Sequence, residues 1–500
     1  MTSRAVGAGA WTVGTRLISK VIDLVLLLCL ARFLGPEEFG VIAVAMAVVL
    51  IIEALFEMPI AAALMRVPLL NVEMLQTAFT ISCLRGIIIA VLLVAVSLPL
   101  AAFTNESKLI VLLPALALAP IARGLVSPRM VEYARVFNFR PDALLELSGK
   151  IFAFCSAISV AYIYRSYWAI AAATILGPIV STILSYFVAP LKPKFTLVKW
   201  KLFSNLIGWN FVSQLCSALN WQIDRLLLPR LTTASGFGQY AMSKQISEIP
   251  IQALIQPLIR PTMAALTSAG ENKTSRYLQL SHGVVLVMAP VLGVFAIWSE
   301  VVVRIALGPS WLPAAEWLKW LSAIWMIDLP AILMGPLAMT LDRTRWIAVR
   351  AFLELIVRMP LVWNGAVYFG IAGAVGGGAI ATVFVSLVGL MIVKRLANIT
   401  ILKQVNNIIT PFAALVPAGA LLYFTQPLVM SSASLPEIIG VAAVIGVGYM
   451  VIYILVVLFA WWLKDMPAGL ERHLMETVKL RIFGDRKPRF FPKPDSVNSK

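Results

Sequence analysis

Apolar residues run in about fourteen stretches of roughly 20 residues, parted by short polar breaks, along nearly the whole 500-residue chain. Hydrocarbon about 30 Å thick takes ~20 helical residues to cross, and backbone in lipid must bond within its own segment. The pattern predicts an all-α polytopic membrane protein with spans at 10–33, 40–63, 78–102, 109–128, 142–163, 168–189, 204–226, 238–262, 279–303, 314–340, 346–368, 371–393, 408–424 and 437–463. The longest connections, 129–141, 190–203, 263–278 and 393–408, are too short to fold a catalytic domain, and only the tail from Lys464 is an extended polar segment. Short loops make successive helices antiparallel neighbours.

Charge changes the picture only after it is placed. The net charge is +17, yet charged residues are 13% of the chain against 60% hydrophobic ones. With the N-terminus inside, the inner segments hold Arg66, Arg129, Arg135, Arg140, Lys192, Lys194, Lys199, Lys201, Arg343, Arg345 and most of the tail's cations. The outer loops hold Lys108, Arg165, Arg230 and Arg304. This is the positive-inside bias of a bacterial inner-membrane protein with both termini cytoplasmic, and it accounts for the basicity without nucleic acid. The tail reads as a polybasic segment held to anionic lipid. Cys29, Cys83, Cys155 and Cys216 all fall inside apolar runs and read as small buried hydrophobes. With no cleavage site after a short apolar region, the first helix is expected to be retained. No phosphate-binding glycine loop, no H-E-x-x-H and no metal-ligand cluster occurs, so neither a metal nor a cofactor is expected. The energy source is then an ion gradient, the membrane potential or consumption of the product.

The Lys-rich stretch 190–203 divides the chain into an N-terminal six-helix lobe (1–190), a linker (191–203), a second six-helix lobe (204–395), two accessory helices (396–463) and the tail (464–500). Phe39-Gly40 and Phe237-Gly238 lie 198 residues apart, Pro59 and Pro257 follow at the same offset, and Asp23 and Asp224 each fall in the first span of a half. Six spans per half make the repeat parallel, about an axis along the membrane normal, with a cavity between the lobes.

The order of LARFLGPEEFG (30–40), ID…GFGQY…K (223–244) and LGPSW (307–311) resembles the Wzx-type polysaccharide transporters of the multidrug/oligosaccharidyl-lipid/polysaccharide exporter superfamily, in the succinoglycan- and colanic-acid-like branch. The resemblance covers most of the chain. It implies two six-helix lobes plus two helices, and a flippase that moves an undecaprenyl-diphosphate-linked oligosaccharide from the cytoplasmic to the periplasmic leaflet. The polysaccharide polymerase and chain-length machinery are the partners it implies.

Charges inside spans are costly and each calls for a role. Arg16, Lys20 and Asp23 share one face of the first helix and read either as a basic wall for a diphosphate or as a cluster that pairs internally or snorkels to the headgroups. Arg358, at i+4 from Glu354 and i+8 from Arg350, is a further diphosphate candidate. Asn210, Ser213, Gln214, Ser217, Asn220, Trp221 and Asp224 form a helical stripe suited to a glycan, or to gluing helices together. Lys244, Glu248 and Gln252 continue it, with the alternative that Lys244 and Glu248 neutralise each other. Glu53 and Glu57, with Asp23, are coupling-ion candidates, unless they pair with a neighbour such as Arg85. Trp298, Trp311, Trp317, Trp320 and Trp325 suit a headgroup-level belt, and Gly376-Gly377-Gly378 suits close packing or a hinge. Alternatives to the flippase are export of a drug, which suits deep carboxylates without surplus arginines, movement of the peptidoglycan lipid precursor, or a glycosyltransferase, which the short outer loops disfavour.

Overall fold

The computed structural model describes residues 2–136, 138–204, 208–431 and 434–463, with the side chains of 2–10, 12, 13, 62, 204, 208–214 and 271 outside that description, as is the tail from Lys464. Every secondary-structure element among these residues is helical. The principal helices are α1 (Thr2–Phe33), α2 (Pro36–Leu55), α3 (Val72–Thr104), α4 (Leu109–Leu116, continued by Leu118–Gly124), α5 (Arg140–Tyr164), α6 (Trp168–Val188), α7 (Gly208–Leu227) and α8 (Ala234–Pro250). They continue with α9 (Lys273–Ile297), α10 (Ala314–Asp328), α11 (345–369), α12 (371–397), α13 (Ile401–Met430) and α14 (Leu435–Leu463). Among the described residues nine helices are long and apolar enough to cross a membrane, or ten if the bent pair Leu109–Gly124 and Pro128–Arg135 is one span. α1, α7 and α8, which carry many of the in-span charges, are not among the nine.

α11 and α12 form one 53-residue stretch, Arg345–Ala397, that reverses at Gly370, where φ 61 and ψ −143 suit a residue without a Cβ. The arms lie so close that a Cβ on Gly365 would sit 2.1 Å from the Gly373 carbonyl oxygen, and one on Gly377 2.3 Å from that of Leu361. Gly377 therefore serves packing, and the bend belongs to Gly370. The connection expected over 393–408 shrinks to 398–400, because α12 and α13 each extend further than hydropathy alone suggests.

The end of the bundle carrying the α1–α2 turn is called the upper end below. Here the repeat meets itself. α2 lies along α8, and a Cβ on Gly40 would sit 2.3 Å from the Ala234 carbonyl oxygen, while one on Gly238 would sit 1.7 Å from that of Pro36. Gly40 and Gly238 are 198 residues apart, and so are Pro36 and Ala234, so the contact is nearly two-fold. Pro59 and Pro257 mark breaks at matching depth: α2 stops at Leu55 before the short helix Ile60–Arg66, and α8 passes through a π-turn, Ile251–Ile255, into the helix Gln256–Thr267.

The two LGP turns explain their own residues. Pro36 starts α2, where its missing N–H is not needed. Glu37 and Glu38 follow at the positive end of the helix dipole; both reach Lys108, and Glu38 also accepts from the backbone N–H of Tyr167 at 2.8 Å. At 307–309, Gly308 takes φ 102, and Trp311 inserts beneath α1, donating its indole N–H to the Ala31 carbonyl at 2.8 Å and meeting Phe39 edge-on at 5.5 Å. Trp311 and Trp298 are both buried, the latter bonded to the Leu422 carbonyl at 2.6 Å, so neither belongs to the expected aromatic belt. They are internal pins between helices. Trp320 is exposed and suits the belt.

α13 and α14 attach to α9: Tyr449 donates to the Pro290 carbonyl at 2.9 Å and Tyr453 to that of Leu286 at 3.1 Å. His282 on α9 contacts the Asn407 carbonyl at 2.6 Å, a structural tie.

Candidate functional site

The halves share buried cores in the upper part of the bundle, where Leu27, Leu30, Ala31 and Leu34 pack with Met242, Ile246, Leu307 and Trp311. Lower on α1, Arg16, Leu17, Ile18, Lys20 and Val21 are exposed. At this level Lys20 Nζ donates to Gln252 Oε1 at 3.4 Å, bridging α1 to the π-turn below α8. Four residues below Lys20 stands Arg16, and four and eight residues on from Gln252 stand Gln256 and Arg260, all three exposed. Two helices from opposite halves thus carry cations down from a common contact point. Arg16 has no ion-pair partner among the described residues, and Asp23 is taken by Lys150 of α5. The internally paired reading of this face is therefore not what forms: Asp23 turns to α5, Lys20 turns to Gln252 of the other half, and Arg16 is left exposed. Glu146 is likewise engaged, accepting from Ser19 at 2.6 Å.

In the C-terminal half polar residues gather around Asp224. Asp224 is buried on α7, and its Oδ2 accepts from Lys244 Nζ at 2.7 Å, Tyr240 Oη at 2.8 Å and Arg358 Nη2 at 3.3 Å. Lys244 also donates to the Trp221 carbonyl at 2.9 Å, and Arg358 to Glu354 at 3.4 Å. Asn220 Nδ2 bonds the Ala351 carbonyl at 2.8 Å, fastening α7 to α11 once more. One carboxylate thus holds two cations and three helices together. The lone lysine expected to neutralise Glu248 goes to Asp224 instead, because the neighbouring helix presents a carboxylate at better distance than the next turn of its own. Arg350 pairs with Asp328 at 2.8 Å.

The sequence candidates sort accordingly. Asn220, Asp224, Lys244 and Glu248 come together as one buried group with half-buried Arg358 at its edge, whereas Ser217 and Trp221 are exposed, with Trp221 6.1 Å from Trp325 ring to ring. Gln252 meets Lys20 of the other half. The side chains of Asn210, Ser213 and Gln214 lie outside the described residues. Glu53 is held by both carboxylate oxygens on Arg123 Nη1, at 2.5 and 2.6 Å, and not by Arg85. Glu57 lies one turn on and is also engaged. Arg123 and Arg260 went unnoticed in the sequence, while Tyr240 entered only as part of the GFGQY turn and Arg225 only as a helix-end charge; Arg260 stood between prolines at a span end, but its i+8 spacing from Gln252 is a readable signal. Among the described residues no group of three or more His, Cys, Asp or Glu is arranged to hold a metal ion.

Residues 29–316 match the family model described as a polysaccharide biosynthesis protein. An uncharacterized membrane protein in the cps region of Klebsiella pneumoniae is 20% identical over 425 residues, 82% of this chain and 87% of that protein. The lipopolysaccharide biosynthesis protein WzxC of Escherichia coli (strain K12) is 20% identical over 323 residues, 62% of this chain and 65% of that protein. Among solved structures, the lipid II flippase MurJ in an inward closed conformation superposes with a TM-score of 0.70 at 12% identity, covering 91% of this chain and 99% of that one. An inward-facing multidrug resistance MATE family transporter of the MOP superfamily gives 0.57 at 13% identity, covering 76% and 95%. These two show the fold.

Proposed function

Because the chain belongs to the family of polysaccharide biosynthesis proteins, we propose that it is a flippase for a lipid-linked oligosaccharide repeat unit, carrying the glycan and its diphosphate from the cytoplasmic to the periplasmic leaflet of a bacterial inner membrane. The observation that carries this reading is the basic face of α1: Arg16 and Lys20 are exposed, Lys20 reaches Gln252 of the other half, and their carboxylate neighbour Asp23 is drawn off by Lys150. An unneutralised cation pair inside a membrane bundle suits an anionic cargo, and an arginine fork suits a phosphate. Arg260 on the facing segment is a natural third contact. Arg358, bound to Asp224 and Glu354, acts in this reading by positioning α7 and α8. Exposed Trp221 and Ser217, with Gln252, offer the stacking and amide groups a glycan uses.

In the mechanism that follows, residues 1–190 and 204–395 act as two lobes. The diphosphate docks on Arg16, Lys20 and Arg260, the polyprenyl tail stays in lipid, and the lobes rock apart at the Gly40–Gly238 seam to release the head group on the other side. Both termini are cytoplasmic, and the released unit is consumed by a polymerase. A drug exporter suits these residues less well, since Asp23 and Glu53 are both committed to cations.

The test is the sidedness of lipid-linked oligosaccharide in cells lacking the gene, read with a periplasm-only probe. Repeat units stranded inside support the reading; repeat units never made would sink it in favour of an enzyme. Removing Arg16 and Lys20 together is expected to lower translocation by about tenfold to a hundredfold per lost phosphate contact at unchanged membrane level, since a hydrogen bond to a charged group is worth about 1.5–3 kcal/mol.

A further inference from the structure

Glu248 stands apart from the charges around it. It lies on α8 one turn below Lys244, is 3% exposed, and its Oε1 is sealed from solvent with no hydrogen-bond partner. Among the described residues no cation comes within ion-pair distance of it. Lys244, spaced to reach it, is bound to Asp224. On α7, Arg225 is buried as well, with Nη1 on Gln222 at 3.3 Å and Nε unpartnered. A buried carboxyl and a buried guanidinium thus face the same group of residues, each with an unused polar atom.

The surrounding charges come from several helices. Lys244 is on the same helix, Arg225 and Asp224 are on α7, and Arg358 with its partner Glu354 is on α11. Of the carboxylates on the other helices against α8, Glu53 of α2 is taken by Arg123, Glu37 and Glu38 by Lys108 and Asp328 of α10 by Arg350, while Glu316 of α10 is exposed; on α1, Lys20 bonds Gln252, four residues on from Glu248. His282 of α9 is on the Asn407 carbonyl. An ionised carboxylate left unpaired in such an interior costs several kcal/mol, whereas the neutral acid forgoes only a hydrogen bond. The residue is not there for packing: 198 positions earlier, in the matching place on α2, stands Leu50. Two residues after Glu248 the helix reaches Pro250 and the π-turn Ile251–Ile255, the point at which α8 bends.

We propose that Glu248 is a proton-binding site: it holds a proton while the Gly40–Gly238 seam is closed and gives it up when α8 re-bends, the freed carboxylate then pairing with Arg225. The proton enters from the outer side while the seam is open, is held while the seam is closed, and leaves to the inner side as α8 re-bends, one per cycle; its binding would drive the empty protein back to its closed, loading state. The use of that proton for transport rests on the flippase reading; the site itself does not.

Spin labels at Ser107→Cys and Arg230→Cys, two exposed positions on opposite halves at the upper end, report the seam in the full-length protein in lipid nanodiscs. Raising the pH from about 6 to about 9 is expected to shift the open-to-closed ratio toward open by about tenfold, within the usual range of coupling between sites. Glu248→Gln, which keeps the shape of the neutral acid, should stay closed with less than a ~2-fold response, and Glu248→Asp should restore the response. A Gln variant that still opens with pH would overturn the proposal, as would opening that follows added Na⁺ at constant pH. Translocation of a fluorescent lipid-linked oligosaccharide is measured alongside. If the seam responds to pH through Glu248 but no glycolipid moves, the flippase reading fails and the proton site stands.

Discussion

In the N-terminal half, α1 and α2 carry Leu26, Leu27, Met46 and Leu50; at the positions 198 residues later, α7 and α8 carry Asp224, Arg225, Lys244 and Glu248. The two helix pairs share the Phe-Gly seam and the proline break, so the same geometry is filled with hydrocarbon in one half and with charge in the other. The apolar version shows that the helix pair needs no ion pairs to form. Buried ion pairs are weak contributors to stability when compared with apolar residues of similar shape, because desolvation offsets the Coulomb gain. The charges of the C-terminal half are therefore better explained by something they do. Conversely, the N-terminal half places its charges low and toward the gap, Arg16 and Lys20 on α1 and the Glu53–Arg123 pair between α2 and α4, where they are more exposed.

The sharpest way to break this comparison is to remove one partner of the buried group. Asp224→Ala leaves Lys244 buried without its carboxylate and is expected to lower stability by about 3–5 kcal/mol, read as thermal unfolding in detergent. Giving the C-terminal half the residues of the N-terminal one, Asp224→Leu with Lys244→Met, should recover more than half of that loss while transport stays impaired. Recovery of transport as well would mean the charges are mere packing.

The seam gives the next largest effect. Gly238→Ala puts a Cβ against the Pro36 carbonyl and Gly40→Ala one against that of Ala234, backbone atoms that cannot swing away. Each is expected to disfavour the closed form by about 1–3 kcal/mol, with Gly238 the worse because its contact is closer, measured by the same spin-label distance. Equal effects far from the seam, for example at Gly440, which has open space around it, would undo the argument.

Glu53→Gln should matter less, at most about 1 kcal/mol, because Arg123 is 43% exposed and can rehydrate. A fall as large as that of Asp224→Ala would erase the distinction between the halves. The smallest effect concerns Lys108 in the upper loop. Burial pulls its ammonium down, but Glu38, Glu106 and Glu37 outweigh this and hold it above the usual lysine range. A raised folded-state value stabilises below the ordinary lysine pKa and fades as pH rises through the raised one, so the loop tie between α2 and α4 should loosen only in strong alkali. Lys108→Met should abolish that alkaline loosening, seen by hydrogen exchange at Glu37–Phe39.

Much of this was legible in the residues. Hydropathy located the helices, since lipid demands length and apolarity of any span. The repeat was visible because a close backbone crossing tolerates only glycine, and so Gly40 and Gly238 carry their signal in the sequence. Charge spacing found Asp224, Lys244 and Arg358 as residues of interest. It assigned Lys244 to Glu248, however, because i,i+4 spacing knows only its own helix. The partner of a side chain is chosen across helices, by which carboxylate the packing brings within 3 Å, and so Lys244 went to Asp224, Asp23 to Lys150 and Glu53 to Arg123. The tryptophans repeat the lesson: Trp311 and Trp320 look alike in sequence, yet one is a buried pin on Ala31 and the other faces outward. By itself the sequence determined the apolar helices and the glycine crossing, set by local backbone and solvent physics, whereas the breaks inside the expected spans 40–63, 238–262 and 314–340 appear only in the structure. Only the tertiary structure decided which charges cancel, and that, among the described residues, the buried Glu248 is left without an ion-pair partner, because pairing energies depend on distances that no spacing rule contains.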